Sequence, residues 1–291
     1  MEPFTTALRW DDRPELRAPV LVAAFEGWND AAEAASSAVE WLRHRWAARQ
    51  IASLEPEEYY DFQAVRPRVV LADGYTRELR WPENRCFAAE LPDAARDAVL
   101  VSGVEPNYRW KSFCNEILTV AKETGCGLVI TLGALLADVP HTRPVRITGT
   151  ADDDEMARRL GLERSRYEGP TGIVGVLHDT CRSAGLPSVS LWAPVPHYVA
   201  NPPNPKATLA LLDSVGRLLG ATTETADLRA GVAAWQHRID EAVADDEETA
   251  VYVRELERRA DEEMSEEDLA SGEALAAQIE DFLRERDDEG D

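Results

Sequence analysis

The sequence predicts a three-layer α/β/α domain followed by a small all-helical extension at the C-terminus. Short apolar runs of strand length alternate with amphipathic runs of helix length between residues 19 and 219. This is the pattern of parallel strands joined by crossover helices. Beyond residue 220 the periodic runs are helical. We therefore expect a core domain over residues 1–220 and an acidic helical extension over residues 221–291.

The first strand, turn and helix occupy residues 19–46. Residues 20–25 form an uncharged apolar run, the polar turn E-G-W-N-D follows, and residues 31–46 favour a helix. A buried strand that feeds a helix through a tight turn is the first half of a βαβ unit. In open parallel sheets, ligands and partners bind at the carboxyl ends of such strands.

The next part of the chain predicts additional β-structure. Residues 50–54 form a short strand-like run, and residues 61–91 read as a β-meander inserted into the parallel sheet or extending it. The Asp73-Gly74 pair between two strand-like runs predicts a hairpin, and residues 86–89 predict a third strand.

The remaining core elements follow in alternation. The expected strands cover residues 98–102, 128–132, 145–149 and 189–192, and a long turn over residues 133–144 follows the second of them. The expected helices cover residues 109–124, 152–160, 169–185 and 206–219.

The extension carries three apolar stripes at helical spacing, with a capping pattern over residues 265–268. The stripes are Leu228, Val232, Trp235, Ile239 and Val243; Tyr252 and Leu256; and Leu275, Ile279, Phe282 and Leu283. Because short isolated helices are marginal in water, we expect these stripes to pack on the core or on another subunit.

Charge is distributed unevenly along the 291 residues, which carry 54 acidic and 31 basic side chains and a net charge of −23. Residues 222–291 hold 24 of the acids and 7 of the bases, which leaves 30 acids and 24 bases for the rest. Phosphates and anionic lipid surfaces are bound by clustered lysine and arginine. We therefore expect neither nucleic acid nor a membrane as a partner.

The cysteine pattern and the N-terminus predict a cytoplasmic protein without a cofactor. The four cysteines form no C-x-x-C pair, so the spacing of metal ligands is missing. They are Cys86, Cys114, Cys126 and Cys181. We expect them to be small buried hydrophobic residues in a reducing compartment, with no metal site. Residues 1–13 contain no apolar run of the signal-peptide type.

Chemistry-bearing residues concentrate in the turns that a doubly wound sheet brings to one edge. The sequence has no G-x-S-x-G, P-loop, H-E-x-x-H or G-x-G-x-x-G motif, and no catalytic residue is assigned. The candidates for contact with a ligand or partner are Glu26, Asn29, Asp30, Glu105, Asn107, Arg109, His141, Glu168, Gly169, Thr171, Gly172 and His197.

Several of these candidates also have a structural interpretation. Asn29 and Asp30 stand where helix-capping residues stand, whereas capping gives no reason for Glu26. Arg109 is expected to form an ion pair with Glu26 or Glu105, and otherwise to clamp a substrate. His141 is expected on the surface, in a long loop.

The helix start G-P-T-G at residues 169–172 is the best candidate for a small anionic ligand. Free N–H groups and the helix dipole favour a phosphate or carboxylate at such a position. The alternative is that its glycines allow the helix to pack closely on the sheet.

Five motifs, in this order, resemble the proteasome assembly chaperone 2 family in its actinobacterial branch. They are F-E-G-W-N-D-A-A-E-A-A, S-G-V-E-P-N-Y-R-W-K-S-F, L-G-A-L-L-A-D-V-P-H-T-R-P-V, Y-E-G-P-T-G-I-V-G-V-L-H and W-A-P-V-P-H-Y-V. The resemblance covers residues 19–219. It implies a phosphorylase/hydrolase-like α/β/α fold and a homo-oligomer, with a trimer as one expected form.

The resemblance also implies a non-catalytic protein whose partner is a protein complex such as the proteasome. The eukaryotic and archaeal relatives dock on proteasome α-rings through a C-terminal hydrophobic-Tyr-any tripeptide. The last three residues here, E-G-D, do not match that pattern, so docking through such a tail is not expected.

Two functions remain open at this point. The favoured one is an oligomeric scaffold or assembly-chaperone-like protein. The alternative is a protein that binds a small anionic or nucleoside-like molecule, or a hydrolase or phosphorylase-type enzyme, which uses the strand-end turns.

Overall fold

The computed structural model describes residues 7–151, 168–201 and 203–264. The helix expected over residues 152–160, the capping pattern and the third apolar stripe of the extension lie outside the described residues.

The chain divides into two compact units. The first consists of Met1–Ala137 and Val145–Trp235, and the second of Asp138–Pro144 and Gln236–Asp291. The division at residue 220 that the sequence suggested stays a prediction.

A mixed sheet forms the centre of the first unit. The strands of the described residues are β1 Leu8–Trp10, β2 Val20–Glu26, β3 Arg49–Leu54, β4 Arg68–Leu71, β5 Arg77–Arg80, β6 Asn84–Ala89, β7 Ala98–Val104, β8 Leu128–Ala137, β9 Thr148–Ala151 and β10 Ser188–Pro196. Eight of them form the sheet in the order β1-β3-β6-β7-β2-β8-β10-β9. The four central strands β7, β2, β8 and β10 are parallel, and the strands on both flanks are antiparallel.

Helices cover both faces of this sheet. The helices among the described residues are α1 Ala34–Arg45, α2 Trp110–Glu123, α3 Ile173–Ser183, α4 Pro205–Leu219 and α5 Ala226–Ala244, together with α6 over residues 247–264 in the second unit. One core cluster joins one face of the sheet to α1 and α4, and a second joins the other face to α2 and α3. The expected three-layer α/β/α fold is thereby confirmed. Among the described residues, no helix has the length and apolar character needed to cross a membrane.

Strand β2 shows how the sequence produces the three layers. Side chains of a strand alternate between its faces. Val20, Val22 and Ala24 accordingly belong to the cluster with α1 and α4, while Leu21 and Phe25 belong to the cluster with α2 and α3. Residues 20–25 are all buried, as their uncharged sequence predicts.

Strands β8 and β10 are longer than the sequence indicated. They pair in parallel from Ser188↔Val129 to Pro196↔Ala137, so residues 133–137 are strand and not turn. Gly133 makes room for the ring of its register partner Trp192, since a Cβ there would lie 2.6 Å from the ring. The strand expected over residues 145–149 is also shifted, because β9 begins at Thr148.

The hairpin expected around Asp73-Gly74 is present, but it forms a sheet of its own. Strands β4 and β5 pair only with each other, whereas β6 enters the main sheet between β3 and β7. The Asp73 carboxylate accepts hydrogen bonds from the backbone N–H groups of Tyr75 and Thr76 at 3.1 and 2.8 Å, which stabilises the turn.

The four cysteines are buried and unpaired with one another. Burial raises the pKa of Cys86 and Cys114 to about 12 and that of Cys126 to about 11. Such thiols are not ionised near neutral pH, which agrees with their expected role as small hydrophobic residues.

Within the second unit, Arg143 joins the loop Asp138–Pro144 to α6. Its Nε and one terminal nitrogen each lie 2.7 Å from an oxygen of Asp261, and the other terminal nitrogen lies 3.3 Å from Glu257. The arrangement with Asp261 is a bidentate pair, the strongest geometry for an arginine and a carboxylate.

Candidate functional site at the carboxyl edge of the sheet

Glu105 joins three chain segments at the carboxyl edge. One carboxylate oxygen of Glu105, Oε1, accepts a hydrogen bond from Asn29 Nδ2 at 2.8 Å and another from the backbone N–H of Ile173 at 2.8 Å. The turn after β7 is thus tied to the turn after β2 and to the first residue of α3. Hydrogen bonds to an ionised acceptor are roughly twice as strong as neutral ones.

The anion expected at the start of α3 is therefore supplied by the protein itself. The G-P-T-G segment was expected to present free N–H groups to a phosphate or carboxylate, and Glu105 occupies the N–H group of Ile173. A carboxylate there also interacts favourably with the helix dipole.

Asn29 is packed tightly into this junction. Its side chain is 1 % exposed, and its backbone carbonyl accepts a hydrogen bond from Ala134 in β8 at 2.8 Å. Among the described residues, its Oδ1 has no hydrogen-bond partner. A Cβ on Gly172 would lie 2.2 Å from Asn29 Nδ2 and 2.4 Å from Oδ1, so only glycine fits beside the amide. Asn29 is therefore a junction residue and not the helix cap that its position suggested.

Asp30 does cap α1, from across a short 3-10 turn. Its Oδ1 accepts hydrogen bonds from the N–H groups of Ala35 at 2.7 Å and Ser36 at 3.2 Å, and its Oδ2 accepts one from the Ser36 hydroxyl at 2.5 Å. Ala32 and Glu33 in the turn adopt positive φ values of 51° and 54°. Burial raises the pKa of Asp30, and these hydrogen bonds oppose that shift.

Glu26 ends β2 at the exposed edge. The surrounding protein partly desolvates its carboxyl group, which is the largest cause of its raised pKa. Arg68 in β4 opposes this shift, while the nearby carboxylates Asp30, Glu33 and Glu40 add to it. The structure thus brings Glu26 near Arg68 rather than near Arg109.

Asn107 and Arg109 form polar contacts with the segment that follows β3. Asn107 Oδ1 accepts a hydrogen bond from the N–H of Asp61 at 2.9 Å, and its own N–H donates to the carbonyl of Tyr59 at 2.9 Å. Arg109 forms its ion pair with Glu58. The expected pairing of Arg109 with Glu26 or Glu105 was therefore wrong, because Glu58 is its partner.

The other candidates do not join the Glu105 junction. Glu168, Gly169 and Thr171 are exposed ahead of α3, and the Thr171 hydroxyl lies over Gly175, where a Cβ would be 2.1 Å away. His197 is exposed after β10, with its ring edge-on to Tyr198 at a centroid distance of 5.9 Å.

His141 belongs to the second unit and is buried, at 2 % exposure, instead of lying on the surface as expected. Its Nε2 lies 2.9 Å from Asp240 Oδ1 in α5. Sequence reasoning placed His141 in an open loop because the partner that buries it lies about a hundred residues further on.

Sequence reasoning missed the exposed apolar side chains at this edge. Trp28 in the turn after β2 is 65 % exposed and Tyr108 after β7 is 53 % exposed, and Leu135 and Leu136 near the end of β8 are also exposed. Trp28 and Tyr108 both lie within the motifs that carry the family resemblance, and those motifs were the signal in the sequence that could have identified them. Exposed aromatic residues at a strand edge are typical of protein–protein contacts.

Fold and edge together define a three-layer α/β protein whose strand-end turns are held to one another by its own side chains. The model of the PAC2 family matches residues 24–243, and the chain belongs to this family. No curated protein sequence gives a match.

Solved structures agree with this assignment. A PAC2 family protein from Streptomyces avermitilis is 51 % identical, with a TM-score of 0.76 over 81 % of this chain and 99 % of that one. A proteasome-assembly chaperone homologue from Mycobacterium tuberculosis is also 51 % identical, with a TM-score of 0.75 over 80 % of this chain and 99 % of that one. An archaeal proteasome activator from Pyrococcus furiosus, at 17 % identity and a TM-score of 0.65 over 81 % of this chain and 97 % of that one, shares the fold.

Replacing Gly172 with alanine tests the tight packing against Asn29. The new methyl group overlaps the Asn29 amide, so we expect a loss of about 2–3 kcal/mol in the free energy of unfolding, measured by urea denaturation. Gly231→Ala is the matched control, because a Cβ at Gly231 meets nothing within 4 Å in helix α5. That control should gain about 0.5–1 kcal/mol. Equal behaviour of the two variants would contradict the packing account.

Replacing Glu26 with glutamine tests the electrostatics of the edge. A raised carboxyl pKa means that ionised Glu26 lowers the stability of the folded state above that pKa, and that the penalty fades as the pH falls toward the ordinary value of 4.5. We therefore expect Glu26→Gln to raise Tm at neutral pH by about 1–3 °C, and the gain to vanish at acidic pH. Thermal unfolding would be followed by circular dichroism. A lower Tm of the variant at neutral pH would mean that the Glu26 carboxylate makes a net stabilising contact with Arg68.

Proposed function

We propose that this chain is a non-catalytic, assembly-chaperone-like protein that acts on proteasome components. The observation that carries the proposal is its family, together with 51 % identity to a proteasome-assembly chaperone homologue over nearly the whole of that relative. The carboxyl edge supports it, because Glu105, Asn29 and Asn107 are engaged in holding the turns while Trp28 and Tyr108 face solvent.

The small-molecule alternative has weaker support. It requires the polar side chains of the turns to converge on one ligand. Instead, Arg109 forms an ion pair with Glu58, and Glu105 accepts a hydrogen bond from the start of α3. All of the candidate residues except His141, which lies in the second unit, therefore enter this proposal as parts of a protein-binding edge. Its exposed polar members are Glu26, Asn107, Arg109, Glu168, Thr171 and His197.

The finer parts of the proposal concern assembly and location. We propose a cytoplasmic homo-oligomer, with a trimer as one expected form, in which the acidic residues 221–291 act as a separate helical extension. The net charge of −23 supports a protein partner over nucleic acid or an anionic membrane.

The proposal predicts that the chain binds proteasome α-subunits and speeds core-particle assembly. We would mix the full chain with purified α- and β-subunits from the organism that encodes it, and follow core particles on native gels. Trp28→Ser should lower the affinity by about tenfold, since exposed tryptophans are frequent hot spots, and Trp28→Phe should retain most of it. Assembly at the same rate with and without the chain, and no binding to α-subunits, would contradict the proposal.

A further inference from the structure

The hairpin of β4 and β5 is an exposed two-stranded sheet. It has no third strand among the described residues, and each of its eight strand residues except Val70 is exposed. A two-stranded hairpin is marginally stable in water unless a further strand, a helix or another chain covers it. The hairpin is therefore a surface on which a further strand, helix or chain could pack.

One face of the hairpin is apolar. The register pairs Val69 with Leu79 and Leu71 with Arg77, which puts these four side chains on one face. Val69, Leu71 and Leu79 are 56 %, 58 % and 60 % exposed. Next to this face lie Tyr75 in the turn, which is 90 % exposed, and Trp81, whose ring packs on Phe62 at a centroid distance of 4.8 Å.

The hairpin is also basic, in a chain that is strongly acidic. Residues 66–81 hold four arginines against Asp73 and Glu78. The register sets Arg68 directly opposite Arg80, an unfavourable pairing of like charges. Within the described part of the chain, none of Arg66, Arg77 and Arg80 forms an ion pair. Aromatic residues and arginine are the side chains enriched at interface hot spots. The apolar and basic side chains of the hairpin therefore fit a partner surface that is acidic and has apolar contact area.

Helix α6 carries a surface of that complementary chemistry. An open depression along the helix is lined by Glu247, Glu248, Val251, Tyr252 and Glu255. Val251 is 54 % exposed, so apolar area lies beside the carboxylates. Glu255 is paired with Arg258 and Arg259, whereas Glu247 and Glu248 form no ion pair within the described part of the chain.

We propose that the β4–β5 hairpin of one copy of this chain docks on the Glu247–Glu255 depression of a second copy. Val69, Leu71 and Leu79 supply apolar contact to Val251 and Tyr252, and the hairpin arginines face Glu247 and Glu248. The two surfaces differ, so the contact is head-to-tail and repeats from copy to copy, which builds a ring or a filament. This inference names the contact behind the proposed homo-oligomer and rests on that part of the proposed function.

Charge reversal on each surface tests the contact. We would measure the mass of the full chain by sedimentation equilibrium for three variants: Arg77→Glu with Arg80→Glu, Glu247→Arg with Glu248→Arg, and the four changes combined. Each double reversal should raise the dissociation constant by about 100-fold, because like charges then face each other across the contact. The combined variant should recover the wild-type mass, since attraction is restored with the signs exchanged.

The control matches the first variant in net charge. Arg96→Glu with Lys111→Glu makes the same change at two exposed positions outside the hairpin and should leave the mass unchanged. If the arginine reversal unfolds the protein, as seen by circular dichroism, Leu79→Ser at a 60 % exposed position takes its place and should weaken association.

Three results would overturn the inference: a monomeric wild-type chain, a folded hairpin variant with wild-type mass, or a folded combined variant that stays dissociated. A monomeric wild type would also defeat the proposed homo-oligomer. An oligomer whose mass does not change in the hairpin variants would contradict this inference and leave the proposed homo-oligomer standing. The proteasome assembly assay tests neither the homo-oligomer nor the hairpin contact, since it measures binding to proteasome subunits.

Discussion

The carboxylate of Glu105 is the constraint on which the carboxyl edge of the sheet depends. Three segments far apart in sequence meet there: the turn after β7, Asn29 after β2, and the first N–H of α3. The edge of an open α/β sheet is ordinarily where a ligand approaches helix N-termini. Here an internal carboxylate takes that position, and Gly172 leaves the space in which the Asn29 amide fits.

This arrangement separates the edge into an inner and an outer layer. The inner layer consists of buried or partly buried polar groups that bond to one another, such as Asp30 with the start of α1. The outer layer consists of Trp28, Tyr108 and Glu26, which face solvent. A scaffold for protein contacts needs both, because rigid turns present the exposed side chains in a fixed geometry without the entropic cost of ordering them on binding.

Much of the fold could be predicted from local patterns. Residues 20–25 form an apolar run of strand length that ends in a polar turn, and the run that became α2 has the spacing of an amphipathic helix, so local signals predict both elements. The longer ends of β8 and β10 could not be predicted, because residues 133–137 become strand through their pairing with β10 and through the fit of Trp192 over Gly133.

The site was predictable in its chemistry but not in its pairing. The start of α3 was expected to attract an anion, yet sequence spacing could not identify Glu105, about 70 residues earlier, as that anion. The same limit explains why Arg109 was paired with the wrong acids and why His141 was expected on the surface. In each case the partner lies at long sequence separation, and its proximity depends on the assembled tertiary structure.

The most direct test of the central claim is a double-mutant cycle between Asn29 and Glu105. The free energy of unfolding would be measured by urea denaturation for Asn29→Ala, Glu105→Ala and the double variant. The cost of leaving the Ile173 N–H unpaired occurs in both arms and cancels. If the Glu105 carboxylate holds the two turns together, the coupling energy should be about 1.5–3 kcal/mol, as for a hydrogen bond to a charged group. Costs that add to within about 0.3 kcal/mol would contradict the account.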